Sequence, residues 1–139
     1  SLLLQKTEEK WKVKMILFDS SVWIEYFLDG KYADKVEEYL ENEEILTSSI
    51  TLVELSIKAN KENMNFNEYF NFIKSKSIIV GLSDDIIKKI GAIYFNQRKT
   101  KSSFGIVDAI IYTTAICEKT RLLTKDLDFE GLDNVEILR

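Results

Sequence analysis

Short apolar runs of about four residues recur along this chain and alternate with segments that have helical periodicity. The runs are Met15-Ile16-Leu17-Phe18, Ile45-Leu46-Thr47, Ile78-Ile79-Val80, Leu122-Leu123 and Val135-Glu136-Ile137-Leu138. Runs of this kind predict strands that are buried on both faces. Strands that alternate with helices form βαβ units and a parallel sheet. The sequence therefore predicts an α/β fold, a three-layer α/β/α sandwich with a central, mostly parallel sheet.

The segments between these runs have apolar residues at helical spacing. Helices are predicted after the first strand to about Tyr26, from Tyr32 to Glu41, from Ile50 onward, around Phe66 to Ile73, from Ser83 onward and from Gly105 to Cys117. The last of these is apolar on nearly every side, which predicts a buried helix. Serine pairs precede two of the segments and are typical of helix N-caps.

The chain is predicted to form one domain. Its 139 residues suit a single domain, it has no proline, and its five glycines form no linker. Residues 1–14 are highly charged and precede Met15, so we interpret 1–14 as an N-terminal extension or a remnant of cloning and 15–139 as the domain. No apolar stretch is long enough for a membrane span or a secretory signal, so we expect a cytoplasmic location and no membrane partner.

The absence of histidine narrows the chemistry available to the chain. Cys117 is the one cysteine, which excludes an intrachain disulfide and a zinc site built on paired thiolates. The lack of histidine excludes Ser-His and Cys-His nucleophiles and imidazole acid/base catalysis. We interpret Cys117 as a buried packing residue. The net charge of −4 argues against a surface that is basic overall, although a local basic groove is compatible with it. Catalysis must therefore use carboxylates, hydroxyls or lysines.

Several carboxylates lie alone in sequence that is otherwise apolar or uncharged. Asp19 directly follows the first predicted strand, Glu54 lies near the start of a predicted helix, and Asp108 lies in the helix predicted to be buried. Asp126 and Asp128 follow the fourth predicted strand. Because an unpaired buried carboxylate is strongly destabilising, these acids must be paired, protonated, placed at a helix start or bound to a metal.

The predicted sheet brings these acids to one edge. Asp19 and Asp126 follow strands, while Glu54 and Asp108 lie in helices that begin at the same carboxyl edge, where open parallel sheets bind ligands. Clustered carboxylates repel one another, and a divalent cation keeps them ionised. Oxygen ligands suit Mg²⁺ or Mn²⁺, which polarises a phosphodiester and lowers the pKa of a bound water. This arrangement predicts phosphodiester hydrolysis without histidine.

Each acid also has a simpler local interpretation. Asp19 is a potential helix N-cap, Asp108 suits the positive end of a helix dipole, and Glu54 is one helical turn from Lys58. A shared site additionally explains why each acid is isolated in apolar sequence at the same predicted edge. We therefore favour the shared site over separate local roles.

Four motifs built on these acids resemble the PIN-domain ribonucleases, in particular the VapC-type toxins of toxin–antitoxin pairs. The motifs are Asp19-Ser20-Ser21-Val22-Trp23-Ile24, Thr51-Leu52-Val53-Glu54-Leu55, Gly105-Ile106-Val107-Asp108-Ala109-Ile110-Ile111 and Leu123-Thr124-Lys125-Asp126-Leu127-Asp128-Phe129. The resemblance covers about residues 15–139 and implies a PIN-like fold.

The resemblance implies an endoribonuclease that depends on Mg²⁺ or Mn²⁺, cuts single-stranded or loop RNA, and leaves a 5′-phosphate and a 3′-hydroxyl. It also implies a homodimer and a small cognate antitoxin. By motif position the catalytic and metal-binding residues are Asp19, Glu54, Asp108 and Asp126, with Asp128 as a fifth metal-binding acid. Ser20 and Thr124 are the implied supporting residues; they orient a carboxylate or a water, or they act simply as caps.

Two surfaces are predicted to contact partners. Arg98, Lys99 and Lys101 are predicted to lie in a basic loop just before the Asp108 helix and are the candidate RNA contacts. Trp23 and Phe72 belong to an aromatic set that exceeds what one face of a small core uses, and we predict that they contact a protein partner.

Tyr112 lies one turn after Asp108, where PIN-domain relatives usually have a small residue. Core packing is its favoured role. The alternatives are that it narrows the pocket or stacks on a base.

Three other functions were compared with the nuclease. A catalytically silent PIN-like module that binds RNA or a partner would normally lack one or more of the acids, and none is missing. A receiver-like signalling domain that binds Mg²⁺ requires an acid pair after the first strand and a lysine after the last, whereas this chain has Asp19-Ser20 and Leu138-Arg139. An aspartyl-phosphate phosphatase needs a long chain after its D-x-D motif, and few residues follow Asp128.

Overall fold

A computed structural model describes residues 14–139 as one continuous run of alternating strands and helices. The prediction for the N-terminal extension lies outside the described residues, except for Lys14. The elements are β1 (Met15–Phe18), α1 (Ser20–Phe27), α2 (Ala33–Asn42), β2 (Glu44–Ser48), α3 (Ser49–Lys61), α4 (Phe66–Lys76), β3 (Ser77–Val80), α5 (Asp84–Arg98), α6 (Ile106–Cys117), β4 (Arg121–Thr124), a 3₁₀ turn (Leu127–Phe129) and β5 (Val135–Ile137). All five predicted strands are present.

The five strands form one sheet in the order β3-β2-β1-β4-β5, and each neighbouring pair is parallel. Strand β1 is central, with Leu17 aligned to Leu46 of β2 and to Leu122 of β4. The predicted parallel sheet is therefore confirmed. Receiver domains have the strand order 2-1-3-4-5, so the receiver-like alternative is wrong on topology.

Two apolar cores cover the two faces of the sheet. Because successive strand residues point to opposite faces, Ile16 and Phe18 enter one core, while Leu17 enters the other. The first core is completed by helices α1 to α4 and the second by α6 with part of α5. This arrangement confirms the predicted three-layer sandwich.

Polar side chains fix the starts of four helices. Asp19 accepts from the Val22 N–H at 3.2 Å, and Ser83 accepts from the Ile86 N–H at 3.2 Å. Ser48 and Asn65 cap α3 and α4 in the same way. These bonds satisfy N–H groups that have no partner within the helix, and they place the first turns of α1 and α3 at the carboxyl edge of the sheet.

Helix α6 is buried through most of its length, as predicted. Its residues from Ile111 to Ala115 are all buried, but its ends are not, since Ile106 is 66% exposed and Ile116 is 36% exposed. Its first turn therefore reaches the surface of the molecule, where Asp108 is only half-buried. Cys117, at its last turn, is partly exposed, so the predicted burial is incomplete.

Candidate active site

Five carboxylates, here called the acidic cluster, come together at the carboxyl edge of the sheet. Asp19 follows β1, Glu54 lies in α3, Asp108 lies in the first turn of α6, and Asp126 and Asp128 flank the start of the 3₁₀ turn after β4. Oxygen atoms of Asp108, Asp126 and Asp128 lie within 4.8 Å of one another. Glu54 is close enough to Asp19, Asp108 and Asp126 for their charges to raise its pKa. The topology thus brings together all five predicted positions.

Asp19 is the most deeply buried member of the cluster, with 5% of its surface exposed. Its Oδ1 accepts from the Ser21 hydroxyl at 2.5 Å and from the Val22 N–H, and its Oδ2 accepts from the Thr124 hydroxyl. Burial raises the pKa of Asp19 from 3.8 to about 6, and these hydrogen bonds oppose the rise. The carboxylate is held rigidly but is costly to ionise without a cation.

Burial also raises the pKa of Glu54 and of Asp108, and neighbouring acids raise each further. Hydrogen bonding from the Ser20 side chain partly offsets the effect on Glu54. For Asp108 the offset comes from the Gly105 N–H, which donates to Oδ2 at 2.9 Å. Glu54 and Asp108 are therefore both carboxylates that lie close to other carboxylates of the acidic cluster.

The alternative that Glu54 pairs with Lys58 is wrong. Lys58 instead forms an ion pair with Glu62, which lies one turn later and just past the end of α3, at 2.9 Å. Among residues 14–139 no ion pair joins any member of the acidic cluster to a lysine or an arginine. The charge of the cluster is thus left without a cationic side chain to neutralise it.

Thr124 links two of the acids. Its fully buried hydroxyl donates to Asp19 Oδ2 and accepts from the Asp126 N–H at 3.0 Å. Asp126 Oδ1 in turn accepts from the Asp128 N–H at 2.9 Å. This chain of bonds fixes the segment after β4 relative to the end of β1.

Ser21 is a part of the site that the sequence reasoning missed. Its hydroxyl donates to Asp19 and accepts from the Lys125 N–H at 2.9 Å, so it joins β1 to the segment after β4. A signal was present in the sequence, because a serine two residues after an aspartate is well placed to bond with it. The sequence reasoning assigned the supporting role to Ser20 and gave none to Ser21.

The donor set suits a hard divalent cation. All five side chains offer carboxylate oxygens, and three of them can present oxygens around one point, which is the chemistry that Mg²⁺ and Mn²⁺ prefer. A bound cation would also relieve the repulsion that raises the pKa of Glu54 and Asp108. Asp108, Asp126 and Asp128 are therefore the residues best placed to hold an ion, with Asp19 and Glu54 beside them.

An ion pair between a buried carboxylate and a partly exposed lysine borders the cluster. Lys125 Nζ donates to Glu25 Oε2, and Glu25 is 7% exposed. The other oxygen of Glu25 accepts from the Tyr32 N–H at 3.3 Å. Gly30 makes this placement possible, because a Cβ on Gly30 would overlap the Glu25 carboxylate. Sequence reasoning did not identify the pair, since its partners are 100 residues apart.

We expect Gly30→Ala to destabilise the protein by about 2 kcal/mol, because it expels a buried carboxylate from its charged hydrogen bonds. Urea unfolding measures the change. The matched control is Gly91→Ala in α5, where an added Cβ meets nothing within 4 Å and higher helix propensity should stabilise by roughly 0.5–1 kcal/mol. Equal effects of the two substitutions would contradict this account of Gly30.

The three predicted RNA-contact residues differ in their surroundings. Lys101 Nζ donates to the carbonyl oxygens of Asp128 at 2.6 Å and of Glu130 at 2.9 Å. Lys101 therefore holds the segment after β4 in place through two of its three N–H donors, and its contact with RNA stays a prediction. Arg98 is the last residue of α5 rather than part of a loop, and its guanidinium lies over the Tyr94 ring. Lys99 is exposed.

The aromatic residues are also divided. Trp23 is fully buried and its indole N–H donates to Thr47 Oγ1 at 3.1 Å. The expectation that Trp23 contacts a partner is therefore wrong, because the side chain belongs to the core. Phe72 is partly exposed. Tyr112 packs in the second core and donates to the Asp133 carbonyl at 3.2 Å, which confirms its core role.

Comparison with known proteins identifies the family. The PIN domain family model matches residues 16–135, so the chain belongs to the PIN domain family. No curated protein sequence matches it. Among residues 14–139 no helix is both long and apolar enough to cross a membrane.

Solved structures with this fold include toxin–antitoxin proteins. A chain of a toxin–antitoxin complex from Klebsiella pneumoniae is 26% identical, with a TM-score of 0.69 over 89% of this chain and 98% of that one. VapBC2 from Rickettsia felis, bound to a promoter DNA fragment, is 21% identical, with a TM-score of 0.71 over 90% and 99%. The Sarcin-Ricin loop cleaving toxin VapC20 from Mycobacterium tuberculosis is 15% identical, with a TM-score of 0.69 over 89% and 99%. The resemblance to VapC-type PIN domains is confirmed.

Proposed function

We propose that the protein is a metal-dependent endoribonuclease that hydrolyses RNA phosphodiester bonds, and that it is the toxin of a toxin–antitoxin pair. The observation that carries the proposal is the acidic cluster, which gathers five carboxylates at one sheet edge with no cationic partner among residues 14–139. All acids of the motif set are present, which favours an enzyme over a catalytically silent binding module.

In this proposal Asp19, Glu54, Asp108 and Asp126 are the catalytic residues and metal ligands, with Asp128 as a further ligand. These residues would hold a Mg²⁺ or Mn²⁺ ion, which would polarise the substrate phosphodiester and lower the pKa of a bound water. The role of the polypeptide is to hold the carboxylates in position. Thr124 and Ser21 hold the Asp19 carboxylate through both of its oxygens, and the bond from Gly105 fixes the Asp108 carboxylate at the start of α6.

The structure also supports an antitoxin as partner. A groove of about 560 Å³ lies between α1, α2 and α4, with the aromatic residues Tyr26, Phe27, Tyr69 and Phe72 in its wall. Its remaining lining includes four acids, Asp29, Asp34, Glu37 and Glu68. An aromatic groove with an acidic rim suits an amphipathic segment that has basic side chains. Phe72 remains our proposed contact for that segment.

A homodimer is part of the same proposal. Val53 and Ile57 lie one turn apart on α3 and are 50% and 66% exposed. Exposed apolar side chains on one face of a helix are a common feature of subunit interfaces. The proposed dimer would cover this face of α3.

Cleavage of a mixed RNA pool tests the proposed activity. The purified protein is incubated with Mn²⁺ or Mg²⁺ and, in parallel, with excess chelator. We expect RNA fragments with 5′-phosphate ends only when the metal is present, because the clustered acids need a cation to act together. An absence of cleavage with every divalent ion, or cleavage that the chelator leaves unchanged, would refute the proposal.

A further inference from the structure

A cavity that the proposed chemistry does not use lies beside the acidic cluster. Its volume is about 480 Å³, within the range of small-molecule sites. It is lined by Ser21, Ile24, Glu25, Leu28, Gly30, Lys125 and Asp126. Asp126 belongs to the acidic cluster, so the cavity and the cluster share a wall.

The charged part of the cavity is built rather than incidental. Lys125 is fixed at both ends, because its backbone N–H donates to Ser21 Oγ at 2.9 Å and its ammonium donates to the buried Glu25. An ammonium has three N–H donors, and Glu25 is the one acceptor that Nζ has among residues 14–139. Two donors therefore remain for another group, and 39% of the Lys125 side chain is exposed to receive it.

The other part of the cavity is apolar. Ile24 lies on α1, and Leu28 lies one turn later, at the end of that helix. The exposed fraction of Leu28 is 55%. This wall faces the same space as the Lys125 ammonium. A ligand with one anionic group and one flat apolar group matches this pairing of a cation with an apolar wall.

We propose that this cavity is a nucleotide subsite for single-stranded RNA, with the ammonium of Lys125 on a backbone phosphate next to the scissile one and the attached base on Ile24 and Leu28. The inference rests on the proposed nuclease function and names how that site holds its substrate. RNA phosphates are repelled by the acidic cluster, so a cation at its border lowers the barrier to approach. Lys101 binds carbonyl oxygens of the segment after β4. Lys125 is the lysine that lines this cavity. Glu25 acts as a positioning residue for Lys125.

Steady-state cleavage of a labelled single-stranded oligoribonucleotide in Mn²⁺ tests the subsite. Losing one charged hydrogen bond in Lys125→Met should raise KM about tenfold with kcat within about threefold of the wild type. Lys125→Arg, which keeps the charge, should restore KM. Leu28→Asp should also raise KM, because it places a negative charge on the apolar wall. Lys88→Met and Leu82→Asp, at exposed positions away from the cavity, are the matched controls and should leave KM unchanged.

Binding of the same oligonucleotide in chelator separates the two proposals. The wild type should bind more tightly than Lys125→Met by the same factor that separates their KM values. If the wild type cuts RNA but the Lys125 and Leu28 variants keep the wild-type KM, the subsite is refuted and the nuclease stands. If the wild type neither cuts nor binds the oligonucleotide, both proposals fall.

Discussion

Asp108→Asn is expected to reduce metal-dependent RNA cleavage about a thousandfold or more. The substitution removes a charged metal ligand, and with it several kcal/mol of the stabilisation that the metal gives to the transition state. The asparagine side chain has nearly the same shape and can still accept the hydrogen bond that Gly105 donates, so the start of α6 should be preserved. A negative charge within 4.8 Å of carboxylate oxygens of Asp126 and Asp128 is lost. Cleavage of labelled RNA in Mn²⁺ measures the effect, and calorimetric titration with Mn²⁺ should show weakened binding.

The matched control for this substitution is Asp84→Asn. Asp84 lies in the first turn of α5, as Asp108 lies in the first turn of α6, but it is exposed and belongs to no cluster of acids. Removing its charge should leave cleavage within about twofold of the wild type, because only a small helix-dipole interaction is lost. Wild-type cleavage by Asp108→Asn, with an unchanged need for metal, would exclude Asp108 from the site.

The positions of the acids could be predicted from the sequence because each violates a local rule. The sequence neighbours of Asp108 in its helix are apolar, and Asp19 directly follows a buried strand. The sequence around each acid therefore offers no cationic side chain to pair with it and predicts that it is shielded from solvent. Desolvation makes such positions unfavourable unless distant parts of the chain meet there. The periodicity of strands and helices then specified the edge at which they meet. Their proximity followed from topology, and their catalytic role stays a prediction.

The contacts of long polar side chains could not be predicted in the same way. The basic neighbours of Lys101 predict an RNA contact, yet its ammonium binds the carbonyl oxygens of Asp128 and Glu130, about thirty residues away. The Lys125–Glu25 pair spans 100 residues. A lysine stem has four rotatable bonds, so sequence position says little about where its charge lies.

The burial of Trp23 could not be predicted from the sequence for a different reason. Trp23 and Phe72 lie in one aromatic set, with their ring centroids 6.3 Å apart, yet one is fully buried and the other partly exposed. Helical spacing gives the face on which a residue lies but not how deep it lies within a layer. The hydrogen bond from Trp23 to Thr47 decides its place, and that bond depends on the register between α1 and β2.

Removing the charge of Asp19 should have opposite effects on stability with and without metal. In the metal-free protein the pKa of Asp19 is raised from 3.8 to about 6, so the folded state keeps a proton that the unfolded state releases. The free energy of unfolding therefore falls as pH rises from about 4 to about 6, by about 3 kcal/mol for this group. The raised pKa values of Glu54 and Asp108 act in the same direction.

Asp19→Asn is neutral at every pH and should remove the share of this slope that belongs to Asp19. In chelator at pH 7.5 we expect the variant to be more stable than the wild type by up to about 3 kcal/mol. The margin is reduced because the Thr124 hydroxyl must find another acceptor for its proton. At pH 4.5 the two proteins should differ much less. Urea unfolding at both pH values measures the difference, with Asp84→Asn as the exposed control.

Saturating Mn²⁺ should reverse the order, because a cation that binds only the folded state stabilises the wild type in proportion to its affinity. Asp19→Asn should gain little, since it lacks one of the charges that holds the ion. A variant less stable than the wild type in chelator at pH 7.5 would mean that the hydrogen bonds from Ser21 and Thr124 to the Asp19 carboxylate outweigh the cost of burying its charge. That result would show that the charge is tolerated without a cation, whereas a reversal would tie its burial to the metal.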